Sequence, residues 1–135
     1  MVKCNAEEAW QATGVAVAGV PSALEAAGRL RAAGATIAVV SLGRQGAVLV
    51  AEGERWSALP PAVREANPVG SGDCLVAGLA VGLARGWPLA EGLRWGVAAG
   101  AANAAVWTPA GCSREEVERL VPQVRVARPP EDSGR

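Results

Sequence analysis

The sequence contains no histidine, no phenylalanine and no tyrosine, and its one lysine stands against twelve arginines. Without histidine, the three cysteines, Cys4, Cys74 and Cys112, have nothing to complete a zinc site. They are odd in number, far apart and in no C-x-x-C spacing, which reads as reduced cytosolic thiols. The same absence removes the base that a nucleophilic Cys74 would need. A basic excess is missing as well: 13 Lys and Arg balance 13 Asp and Glu, which leaves no electrostatic footprint for nucleic acid. The five tryptophans, Trp10, Trp56, Trp87, Trp95 and Trp107, are too scattered for a base-stacking platform. No segment approaches the ~18 uninterrupted apolar residues of a membrane span. Met1 to Glu8 is acidic where a signal peptide would be basic and then apolar, so the expected location is cytoplasmic, with no membrane partner. The bias toward Ala, Gly, Val and Arg suggests a GC-rich genome and says nothing about function.

What is present is a chain of 135 residues, half of them hydrophobic, enough for one ordinary domain that buries roughly two-thirds of its unfolded surface. Pro21 to Ala33 reads as a helix with Pro near its first turn and Gly34 as its stop. Thr36 to Leu42 is a β-branched run typical of a buried parallel strand. Ala47 to Ala51 resembles a second strand beyond the turn Gly43-Arg44-Gln45-Gly46, and Trp56 to Leu59 a third before the Pro60-Pro61 break. Helices are expected over Asp73 to Arg85, Leu89 to about Val106, and Ser113 to Val121, the last opened by the capping box Ser113-Arg114-Glu115-Glu116. Val124 to Val126 fits a last edge strand, and 128–135 has the composition of a disordered tail.

The stretch Asn67-Pro68-Val69-Gly70-Ser71-Gly72-Asp73 feeds a glycine-rich turn into a helix that is otherwise apolar as far as Arg85. Leu75, Val76, Leu79, Ala80 and Leu83 cover more than one stripe, so the helix is expected to be central and buried. Gly78 and Gly82, each costing ~1 kcal/mol relative to Ala, are expected to admit close backbone approach. A carboxylate at a helix start is ordinarily a cap. Here the first-turn N–H groups behind Gly-Ser-Gly also converge on a point that favours an anion. The residues alone leave the two readings at even weight.

"NPVGSGDCLVAGLAVGLARG" resembles the G-x-G-D signature of the ribokinase-like (PfkB) carbohydrate kinases. "VKCNAEEAW" is similar to the family's K-P-N-x-x-E segment, with Cys4 in place of its Pro. "VVSLGRQGAVLV" resembles its S-x-G-x-x-G strand–turn–strand, and "LAEGLRWGVAAGAANA" the helix that closes the nucleotide site. Asn67-Pro68-Val69 is similar to the hexose-phosphate branch, 1-phosphofructokinase or tagatose-6-phosphate kinase.

The resemblance implies an α/β layered fold with a mostly parallel sheet, seen as the carboxy-terminal half of such a kinase over 1–127. It implies a truncated chain without the sugar-binding and lid segments, inactive alone, or else a nucleotide-binding but silent module. By the same resemblance Asp73 is the catalytic base, Gly70, Ser71 and Gly72 form the anion hole, and ATP, Mg²⁺ and a sugar phosphate are the ligands. Ser41, Leu42, Gly43, Arg44, Gln45, Gly46, Gly72, Asp73, Ala99 and Asn103 would contact nucleotide. Asn5 and Glu8 would organise the metal through water, and Lys3 would face phosphate. Half a sheet implies an exposed apolar edge and self-association.

Overall fold

The computed structural model describes residues 1–108 and 111–130. Five strands form one sheet in chain order: β1 (Val2–Asn5), β2 (Ile37–Ser41), β3 (Ala47–Ala51), β4 (Glu54–Leu59) and β5 (Arg125–Ala127). Helices α1 (Ala6–Thr13) and α2 (Val20–Ala32) connect β1 to β2, and α3 (Ser71–Ala84), α4 (Leu89–Ala104) and α5 (Arg114–Leu120) connect β4 to β5.

Strand alternation divides the core in two. Ala38 and Val40 of β2, with Val48 and Val50 of β3, pack with Ala9, Ala23, Leu24, Ala26 and Ala27 of α1 and α2. Val39, Ala47, Leu49, Ala51 and Ala58 join Leu75, Leu79, Leu93, Val97 and Ala98 on the α3–α4 side. Successive side chains of a strand point to opposite faces, so the unbroken apolar runs of β2 and β3 serve both layers at once.

The layered α/β architecture agrees with the expectation, but the sheet is mixed rather than mostly parallel. Only β1 and β2 run parallel, while β2–β3, β3–β4 and β4–β5 are antiparallel. The turns that join β2, β3 and β4 are too short for the crossover that a parallel connection needs. One further strand and one helix emerge at the amino end, where β1 runs straight into α1. There Asn5 Oδ1 accepts from Glu8 N at 2.8 Å and Asn5 N donates to Glu8 Oε1 at 2.9 Å, a complete capping box. β1 lies at one edge of the sheet, with Val2 exposed. Residues 131–135 of the expected tail lie outside the described residues. Ahead of them, Arg128 stacks over Trp56 at 5.4 Å and the Pro130 carbonyl accepts from Arg55 at 3.3 Å.

The expectation of a central, buried α3 is not met. Only Leu75, Leu79 and Gly82 of this helix are buried, while Val81 and Leu83 are 44% and 40% exposed. α4 covers one face of α3, and no described element covers the other. The contact with α4 is backbone to backbone: a Cβ on Gly78 would meet Gly96 Cα at 2.7 Å, and one on Gly82 would meet Gly92 Cα at 2.9 Å. Gly78→Val should therefore wedge the pair apart and cost about 1–3 kcal/mol. The measurement is the urea midpoint, and an unchanged midpoint would show that the two helices slide apart freely.

Candidate functional site

Because β1 and β2 are parallel, their carboxyl ends lie side by side, with Asn5 paired to Ser41 and the Ser41 hydroxyl donating to Cys4 O at 3.4 Å. Ligands in layered α/β folds gather at this end of the strands. The chain leaving β2 makes a tight turn in which Leu42 N donates to Gly46 O at 2.7 Å and Gly46 N to Gly43 O at 3.1 Å. Gly46 holds φ +90°, and a Cβ there would run into the Ala58 carbonyl of β4. Only glycine meets both conditions.

The second wall is the start of α3. Gly70 caps the helix with φ 86°, and Ser71 N donates to Pro68 O at 3.1 Å. The Ser71 amide is thus used inside the turn. The amides of Gly72 and Asp73 belong to the first helical turn, whose N–H groups have no intrahelical acceptor. Lys3 reaches this turn from β1: its Nζ lies 2.5 Å from where a Cβ of Gly72 would be. A cation and helix-start amides therefore meet at one point, and Asp73 follows immediately, exposed, in the first turn.

Between the β2–β3 turn and the start of α3 lies a cavity of about 540 Å³. It takes in Ser41, Gly43, Arg44, Gly46, Ser71 and Gly72 from the expected set. Leu42 packs instead against the α1–α2 core, and Gln45 N donates to Leu42 O at 3.1 Å within the turn. Gly70, Asp73, Lys3, Asn5 and Glu8 stand beside the cavity without lining it. On α4 the cavity face is Val97, Gly100, Ala101 and Ala104, whereas Ala99 and Asn103 are buried off it.

Asn103 has a different task. It is fully buried, and its Nδ2 donates to Val69 O and to Ser71 Oγ, each at 2.9 Å, so that it spans Gly70 from below. A buried side-chain amide stapling the glycine turn fixes where the first-turn N–H groups point. Asn103→Leu should leave Val69 O and Ser71 Oγ without this donor, at a cost of about 1–3 kcal/mol. Thermal unfolding measures the loss, and an unchanged Tm would show that the turn holds itself.

Sequence reasoning missed the third wall, Leu59 to Val63 with Glu65. Its signal was the Pro60-Pro61 break, which ends β4 and sends the chain across the cavity toward α3. Glu65 pairs with Arg44 of the opposite turn at 3.1 Å, and its hydrogen bond, then its charge, raise the Arg44 pKa above the ordinary arginine value. The pair is exposed on the Arg44 side, which keeps its contribution to stability small.

For a metal, Asn5 and Glu8 supply hard oxygen donors at the carboxyl edge of β1, and the capping box uses Glu8 Oε1. That set fits a hydrated Mg²⁺ held through its waters better than a directly coordinated ion. Among the described residues no group of three or more His, Cys, Asp or Glu could cage a metal, and no helix is long and apolar enough to cross a membrane.

Residues 1–118 match the model of the pfkB family carbohydrate kinases. The chain is 39% identical over 123 residues to the ATP-dependent 6-phosphofructokinase isozyme 2 of Mycobacterium tuberculosis, covering 89% of this chain and 36% of that protein. It is 33% identical over 128 residues to the 1-phosphofructokinase of Bacillus subtilis, covering 95% of this chain and 42% of the relative. The tetrameric inhibited form of phosphofructokinase-2 from Escherichia coli superposes with a TM-score of 0.80 at 31% identity, over 90% of this chain and 39% of that one. The chain thus spans about two-fifths of the relatives it matches. The expected placement as their carboxy-terminal half does not stand as stated: the shared length is less than half, and these matches do not support that placement.

Proposed function

The chain belongs to the pfkB family of carbohydrate kinases, and from that premise we propose that it carries the nucleotide-binding and phosphoryl-transfer parts of an ATP-dependent kinase whose acceptor is a ketohexose phosphate. The observation that supports this reading is the meeting of Lys3, the α3 amino terminus and the Ser41–Gly46 turn around one cavity. Phosphoryl transfer asks a protein mainly to position reactants and neutralise charge. The apolar wall of Val97, Ala101 and Ala104 suits the adenine, and the Gly43–Gly46 turn suits the phosphates. Gly70, Gly72 and the helix start present N–H groups to the transferring phosphoryl group, with Lys3 adding charge. Asp73 takes the proton of the acceptor hydroxyl. Mg²⁺ held through water by Asn5 and Glu8 would neutralise phosphate charge. Three free cysteines accord with a cytoplasmic setting, and the open edge of β1 offers a place for a second copy to pair.

The relatives named above act on hexose phosphates by their own names, and 1-phosphofructokinase matches the branch to which Asn67-Pro68-Val69 is similar. By itself the 135-residue chain is expected to bind Mg-ATP weakly and to phosphorylate no sugar, because nothing in it resembles the family's sugar-contacting residues. Calorimetric titration with Mg-ATP tests the first statement. No heat at millimolar ATP from a cooperatively folded sample would remove the nucleotide site. A coupled ADP-release assay with fructose 1-phosphate, fructose 6-phosphate and tagatose 6-phosphate tests the second. Robust turnover would mean that an oligomer interface completes the site. Binding without turnover, even when the remaining length of a relative is supplied, would instead favour a silent nucleotide-binding module.

A further inference from the structure

The segment that ends β4 serves two cavities. Leu59, Pro60, Pro61 and Ala62 wall the one described above, and the same four residues line a second cavity of about 510 Å³. Its other side is Pro122, Gln123 and Arg125, where the chain passes from α5 into β5. The volume falls in the ~300–1,000 Å³ range of small-molecule sites.

Strand register sets the chemistry here. Leu59 of β4 lies directly opposite Arg125 of β5, and directly opposed side chains of an antiparallel pair share a face of the sheet. Leu59 is 46% exposed, and Arg125 is exposed beside it. Other arginines around β5 are engaged: Arg55 donates to Pro130 O at 3.3 Å, Arg128 lies over Trp56 at 5.4 Å, and Arg94 donates to Val124 O at 2.7 Å. The Arg125 guanidinium has no ion pair, hydrogen bond or ring contact among the described residues. Its planar fork of N–H donors is therefore free to take an anion.

We propose that this second cavity binds a small organic carboxylate, with its head on Arg125 and a flat apolar body against the prolines and Leu59. The rest of the lining selects that anion. Pro60, Pro61 and Pro122 have no backbone N–H to give, and Gln123 Nε2 donates to Arg119 O at 3.4 Å, which leaves its Oε1 as an acceptor. Arg125 is the only cation of the lining, so it neutralises one charge and suits a carboxylate better than a phosphate dianion. Binding here needs neither nucleotide nor metal.

The test is an amide-shift titration of the whole nitrogen-15-labelled chain with sodium benzoate at neutral pH. Acetate supplies the head alone, benzyl alcohol the body alone, and phenyl phosphate the dianion. Benzoate should move the amides of Ala62, Gln123 and Arg125 saturably and leave those of Gly43, Gly46 and Gly72 in place. Acetate and benzyl alcohol should each bind roughly tenfold or more weakly, and phenyl phosphate no more tightly than benzoate at these amides. Arg125→Gln should weaken benzoate by about tenfold or more with the rest of the spectrum unchanged. Arg125→Lys, which keeps the charge and loses the fork, should fall between. No saturable shift with tens of millimolar benzoate would overturn the proposal. So would shifts confined to Gly43, Gly46 and Gly72, acetate or phenyl phosphate outdoing benzoate, or undiminished binding by Arg125→Gln. The ligand series on the wild-type chain decides the matter even if a variant fails to fold.

Discussion

Asp73→Asn should lower phosphate transfer from ATP to a ketohexose phosphate by ~10²–10⁴ while leaving nucleotide binding nearly intact, measured on an active protein that contains this chain. The asymmetry follows from the geometry. Asp73 lies in the first turn of α3 and lines no part of the cavity, whereas Ser41, Gly43, Gly46 and Gly72 do. Substitution by the isosteric amide removes a proton acceptor and leaves the amides and Lys3 in place. The loss should fall on kcat, with the dissociation constant for ATP unchanged by direct titration. Turnover close to wild type would refute the role of base. A parallel loss of ATP affinity would indicate that the carboxylate serves mainly as a helix cap, the bland reading that its position also permits.

Gly46→Ala should have the largest effect on the fold. The left-handed conformation at φ +90° costs a residue with a Cβ roughly 1–2 kcal/mol, and the collision with the Ala58 carbonyl adds about 1–3 kcal/mol of overpacking. Against the 5–15 kcal/mol that typically holds a domain together, this is a large fraction. The β2–β3 turn has to open away from β4, and the cavity loses the wall formed by Ser41, Gly43 and Arg44. The expected result is a lower Tm together with loss of Mg-ATP heat at temperatures where the protein is still folded. Gly53→Ala is the control, because it too has positive φ, at 71°, but a Cβ there meets nothing within 4 Å. Equal losses in the two variants would show that backbone conformation, and not the Ala58 contact, sets the cost.

Features written in short-range chemistry were legible. The Ser113–Glu116 cap, the strand at Ala47–Ala51 and the turn before it needed only local spacing and appear as read. Features that depend on a partner far along the chain were not. α4 is apolar nearly all round, so periodicity could not separate the cavity face of Val97, Gly100, Ala101 and Ala104 from Ala99 and Asn103 beside it. α3 reads as a buried helix because burial is the usual home of a helix without a polar face. That Val81 and Leu83 stay exposed is not written in the helix itself. The staple made by Asn103 was visible only as a polar residue in an apolar run, and that pattern does not distinguish a ligand contact from a hydrogen bond to the chain's own turn.

Spatial order and chain order coincide in the sheet, where each strand lies next to the one synthesised before it. The central three strands, β2, β3 and β4, are joined by short turns, so a nascent chain can zip them together on the timescale of hairpin formation with little loop-closure entropy to overcome. β1 must wait for α1 and α2 to bridge it to β2, and β5 for three helices to bring it back to β4. The slow steps of folding therefore fall at the two outer strands. Because Asn5 and Lys3 lie on β1, the edge beside the cavity where they stand is added only after the meander that supports it has formed.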